Sequence, residues 1–138
     1  MTSINLTREE AAQRSRMIEV DHYDVTLDLK YSDTHFLSTT KVSFTSREIG
    51  STFIDLRAEE IQEVRLNGNP LPTNSYNPTY GIPLSGLQVA DYTLEVTATI
   101  PYSRTGEGLH RFVDPADDKV YLYTQFETAD AKRVFACF

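Results

Sequence analysis

Gln125 and Glu127 stand two residues apart at the end of the run Val120 to Glu127, which is rich in aromatic and β-branched residues. On a strand, side chains at i and i+2 share a face. One amide and one carboxylate would therefore project together, beside Tyr121 and Tyr123. On spacing alone this reads more simply as a solvated strand face ending in a helix cap. The other residue types that could do chemistry are more scattered. His22, His35 and His110 form no H-x-H, H-x-x-H or H-E-x-x-H pair, so no local metal signature is present. No G-x-S-x-G nucleophile elbow occurs. Gly106-Glu107-Gly108 lacks the Lys and Ser/Thr that complete a phosphate loop, and reads as a flexible connection. Cys137 sits among Val134, Phe135, Ala136 and Phe138, the setting of a buried, inert thiol.

The elements that must position these residues are mostly strands. Residues 7–17 read as a helix, with Thr7 and Glu10 spaced as a capping box. Its apolar face (Leu6, Ala11, Met17, Ile18) is thin, so it is expected to lie on the domain surface. From Tyr23 to Tyr31 apolar and polar residues alternate, the pattern of a strand with one buried face. Ser32-Asp33-Thr34 is a turn. Residues 36–46 form a second strand, with Val42 and Phe44 inward, and so short a link makes the pair antiparallel. Further strands are expected over 52–56, 59–66, 92–100, 109–113 and 120–126, with a short one near 82–84. Asn67-Gly68 marks a hairpin. Residues 128–134 read as one or two helical turns with Thr128 as the cap. The fold class is mainly β: an antiparallel, saddle-like β-sandwich with a short N-terminal helix and a short C-terminal helical turn.

Composition narrows the function classes. The 138 residues make one domain, 1–138, with no repeat or linker. Twenty acids against thirteen bases give a formal charge of -7, which argues against nucleic acid as a partner. One cysteine excludes an intramolecular disulfide and a Cys-based structural zinc site. No secretory signal or membrane-length apolar run is visible, so a cytoplasmic protein that does not engage membranes is expected.

The stretch from Gly106 to Phe138 adds a resemblance. Gly106-Glu107-Gly108-Leu109-His110-Arg111-Phe112-Val113-Asp114-Pro115, with Asp117, is followed by Tyr121 to Glu127. Ala129-Asp130-Ala131, Arg133-Val134-Phe135 and Cys137-Phe138 close the run. Upstream stand Val20 to Leu29 and Thr52-Phe53-Ile54-Asp55-Leu56. Together these resemble the N-terminal domain of the M1 family of zinc metallo-aminopeptidases, its actinobacterial members above all. The resemblance implies a β domain that packs on a thermolysin-like catalytic domain. It also implies that Gln125 and Glu127 line the S1 end of the cleft, where an acidic residue contacts the free α-amine of a peptide. A carboxylate in a water-poor cleft would suit an α-ammonium. An internal peptide would leave that carboxylate buried without its cation.

The chain departs from the family pattern by stopping at Phe138. The H-E-x-x-H helix, the downstream Glu ligand, the G-x-M-E-N motif and the oxyanion-stabilising Tyr are all absent from it. The expectation is therefore a catalytically inactive domain with no catalytic residue, metal ligand or cofactor of its own, zinc belonging to the parent enzyme. The implied partners are a peptide N-terminus in the intact enzyme and the missing catalytic domain. The apolar terminus Val134 to Phe138 reads as a surface meant to pack against that catalytic domain, so self-association is expected without it. The alternative is a free-standing β-sandwich that binds peptide or carbohydrate, with eight Tyr available for a binding face and no Trp.

Overall fold

A computed structural model describes residues 8–77, 81–106, 108–125 and 130–138, with Asp130 described by its backbone alone. Helix α1 (Arg8–Met17) runs directly into β1 (Ile18–Asp28). The chain continues through β2 (His35–Ser46), β3 (Gly50–Ile54), β4 (Glu60–Leu66), β5 (Asn69–Pro70), β6 (Ile82–Leu87) and β7 (Ala90–Pro101). It ends with β8 (Gly108–Val113), β9 (Val120–Gln125) and a 3-10 turn over Asp130–Arg133. The mainly β, antiparallel class expected from the alternation is the one observed.

A five-stranded sheet takes the order β1-β2-β7-β4-β5, β3 pairs with β6, and β8 pairs with β9. Every one of these ladders is antiparallel. The centre of the large sheet is the β2–β7 pair, in unbroken register from His35↔Pro101 to Ser46↔Ala90. Its inward residues alternate as the period of two demands: Phe36, Val42 and Phe44 on β2, and Leu94, Val96, Ala98 and Ile100 on β7. Ile54, Ile82, Leu84 and Leu87 from β3 and β6 complete one shared core with them. Asn67 and Gly68 both take positive φ (52° and 82°), as a two-residue hairpin between β4 and β5 requires.

Three expectations need correction. The first long strand lies earlier than the alternation placed it, beginning at Ile18 and ending at Asp28. Its inward face is incompletely covered: Tyr23 and Leu27 are half-buried, and Val25, Leu29 and Tyr31 are exposed. β1 is the edge of the sheet, so its outer side has no neighbouring strand to complete the cover. The second correction concerns α1. It lies on the surface as expected and buries Met17 of its thin apolar face, but it buries a charged residue, Arg14, as well. Arg14 Nη2 donates to Asp55 Oδ2 at 3.0 Å, Nη1 donates to the Phe53 carbonyl at 3.3 Å, and the guanidinium lies 4.9 Å from the Phe53 ring centroid. The Thr7 cap and Leu6 lie outside the described residues.

The third correction is the C-terminal run. Val134 and Ala136 are fully buried, and the segment lies across the inner face of the sheet. Ser38 Oγ donates to the Val134 carbonyl at 2.6 Å, and the Ala136 amide donates to Thr40 Oγ1 at 3.2 Å. The Phe138 amide donates to the Tyr23 hydroxyl at 2.9 Å, and Asp55 and Cys137 exchange backbone hydrogen bonds at 2.8 and 2.9 Å. Two hydroxyl residues inside an apolar strand face are explained by this segment, whose irregular backbone needs partners away from water. The apolar terminus is thus part of the domain's own core.

Candidate functional site

The β8–β9 hairpin carries the described half of the sequence-derived site. Gln125 is the last residue of β9 and pairs in register with Gly108, the first residue of β8. It is exposed. Glu127 lies outside the described residues, as do Glu107 and the Thr128 cap. The structure therefore locates Gln125 at the root of the hairpin and leaves its pairing with Glu127 on the sequence alone.

The root is built from neighbours on three elements. Leu109, next to Gly108, is buried in the core. The Ser103 amide donates to the Leu109 carbonyl at 2.8 Å, and the Arg111 amide donates to the Ser103 carbonyl at 3.1 Å. Gly108 has φ 68° and faces the 3-10 turn at Arg133. The turn is itself tied down, because the Arg57 amide donates to the Lys132 carbonyl at 2.7 Å and Val134 begins the buried segment. Gln125 thus sits at the point where the hairpin leaves the packed body of the domain.

Beyond the root the hairpin stands clear of the core. Register and alternation put Gly108, His110 and Phe112 on one face with Gln125, Tyr123 and Tyr121. That face is an aromatic ladder. His110 lies 4.8 Å from Tyr123, His110 5.9 Å from Phe112, and Phe112 stacks on Tyr121 at 5.5 Å. Such centroid distances are those of favourable ring pairs. The Gly106 amide donates to His110 Nδ1 at 3.1 Å. At the tip the Tyr121 hydroxyl donates to the Asp117 carboxylate, which holds Asp117 below the usual carboxylate range and pushes the Tyr121 phenol up. The opposite face carries Val113, Val120 and Leu122, and these, like Phe112, Tyr121 and Tyr123, are exposed. The two tyrosines beside Gln125 pack on the hairpin's own rings, Tyr123 on His110 and Tyr121 on Phe112.

The rest of the molecule offers less. One open cleft of about 540 Å³ is lined by Glu19, Asp21, Asp91, Asn67 and neighbouring β2 and β7 residues. Thr45 and Asp91 already satisfy each other across it at 2.6 Å. Among the described residues no group of three His, Cys, Asp or Glu is placed to hold a metal ion. Every buried side-chain nitrogen and oxygen among them has a hydrogen-bond partner. Nor is any described helix long and apolar enough to cross a membrane. Cys137 is mostly buried, and burial pushes its thiol up to about 11, with the Asp55 carboxylate adding to the effect. A thiol held protonated in this way is a poor nucleophile.

Comparison with known proteins bears on what the hairpin belongs to. No family model matches the chain. Over 141 aligned residues, which take in this whole chain, it is 49% identical to aminopeptidase N of Streptomyces lividans. The chain spans only 16% of the length of that protein. Among solved structures it resembles Legionella pneumophila aminopeptidase A in complex with aspartic acid. The TM-score is 0.67 at 19% identity, over 87% of this chain and 14% of that one. At that identity the likeness is one of fold.

Proposed function

We propose that this chain is the N-terminal domain of an M1-type zinc aminopeptidase, and that its β8–β9 hairpin supplies the edge of the cleft that recognises a peptide's free α-amine. The observation that supports this reading most is the identity of 49% to an aminopeptidase N across the whole chain. Gln125 and Glu127 are the residues assigned to that edge. Glu127 would meet the ammonium, since a carboxylate in a water-poor cleft pairs strongly with a cation. Gln125 would orient the amine or the neighbouring carboxylate. An internal peptide bond brings no charge to the site and would leave a carboxylate desolvated without compensation, which is the physical basis of preferring chain ends.

In this reading the metal and the hydrolytic step belong to the remainder of the longer protein. The domain by itself is inactive in this reading. The exposed apolar faces of the hairpin support a partner that covers them, and the partner proposed is that remainder, the catalytic domain. The test is made in the full-length enzyme. Glu127→Ala is expected to raise KM for peptides with a free N-terminus at least about tenfold, with the bound zinc content unchanged. Unaltered kinetics in that variant would remove the amine-binding assignment.

A further inference from the structure

We propose that Gly108 is a positioning residue for Gln125, acting through a contact with the Arg133 side chain of the 3-10 turn. The proposal deepens the α-amine reading and rests on it. Three observations carry it. Gly108 is the register partner of Gln125, so the place of one backbone sets the place of the other. A Cβ on Gly108 would lie 2.9 Å from Arg133 Cβ and 3.6 Å from its Cδ, so strand and turn are in contact with no room for another atom. Arg133 is followed at once by Val134, which is buried and whose carbonyl accepts from Ser38 Oγ at 2.6 Å. The core holds Val134, Val134 holds the turn, the turn stops Gly108, and Gly108 carries Gln125.

The contact also explains why the hairpin root can be rigid while its tip is open. β9 is exposed along its whole length, so no packing of its own side chains on the core places Gln125. What places it is the ladder to β8, and β8 is located by buried Leu109 and by Gly108 against Arg133. The positive φ of 68° adds to the demand for glycine, because other residues adopt it at a cost and only Asn or Asp do so readily. Small displacements of a positioned group are costly to function: a shift on the order of 1 Å can change rates about a hundredfold.

The test exchanges one Cβ between the two sides of the contact, in the full-length enzyme. Gly108→Asn keeps a tolerated φ and adds a Cβ against Arg133. Arg133→Gly removes the opposing Cβ and leaves a gap. Each is expected to raise KM for free-amine peptides about tenfold with kcat changed less than about twofold, the signature of lost uniform binding. The double variant, with one Cβ again in the contact, is expected to return KM toward the parent value. Arg133→Ala keeps the Cβ and reports the loss of the guanidinium alone. A merely structural role would lower the active fraction, and kcat would fall at constant KM. That outcome, or a double variant no better than the worse single, overturns the proposal. If Gly108→Asn fails to fold, Arg133→Gly and the double variant still decide it. Gln125→Ala separates the two levels. If Gln125→Ala and Glu127→Ala both leave KM unchanged, the amine reading falls and this proposal with it. If they raise KM while the contact variants do not, only the positioning role falls.

Discussion

At the scale of single residues, Cys137 shows how burial turns a reactive group into an inert one. Its thiol is raised from about 9.0 to about 11, first by desolvation and then by the Asp55 carboxylate, against the opposing pull of Arg14 and Lys132. The folded state therefore holds the proton more tightly than the unfolded chain does. That contribution to stability is fully present below about pH 9 and is lost as pH rises toward about 11. The parent chain is expected to lose more unfolding free energy between those values than Cys137→Ala does, as read from urea titrations at each pH. Parallel losses in the two chains would show that the thiol is not protected in this way. Ser38 and Thr40 teach the same lesson from the polar side. Hydroxyls on an inward face read as interruptions until the Val134 carbonyl and the Ala136 amide are placed against them.

At the scale of elements, α1 buries an ion pair beside its core residue Met17. The Arg14 and Asp55 side chains are only 9% and 16% exposed, and they meet at 3.0 Å. Removing one partner of so buried a pair leaves the other charge desolvated, which costs about 3 kcal/mol or more. Arg14→Met is expected to destabilise the chain by that order in urea unfolding. A loss below about 1 kcal/mol would place the pair with surface ion pairs instead. The same arginine lies 6.0 Å from the Phe138 ring centroid, so the helix closes over the segment C-terminal to the 3-10 turn. The hairpin is a two-stranded sheet, as β3 and β6 are, but its β9 strand is exposed throughout, and the face that carries Gln125 is a column of rings.

At the scale of the whole molecule, one compact core carries two exposed apolar surfaces on a single projecting arm. An unpaired β9 edge with no charged residue among Val120 to Gln125 is open to a second chain. The 138-residue chain by itself is therefore expected to self-associate with rising concentration in sedimentation velocity. Leu122→Lys with Val120→Lys should reduce that association and leave the midpoint of thermal unfolding nearly unchanged, since both residues are exposed already. A parent chain that stays monomeric throughout would show that the arm needs no cover.

Much of this protein was legible as a string of residues. Alternation with period two placed the central pair β2 and β7, because a half-buried strand cannot hide its pattern. Asn67-Gly68 located its hairpin, because few residue pairs accept two positive φ angles. The run from Gly106 to Phe138 pointed to the aminopeptidases before any fold was in hand, and Gln125 came with it. What only the tertiary structure decided depends on contacts distant in sequence. It sent the apolar terminus into the core rather than onto a surface, since Ser38, Thr40 and Asp55 lie far upstream of the backbone groups they satisfy. It buried a charged residue of α1, Arg14, beside Met17, because its partner Asp55 is 41 residues away. It also put Gly108 against Arg133, where the missing Cβ matters. Local patterns report what each residue prefers. Which groups must share a buried space is settled only when the chain closes on itself.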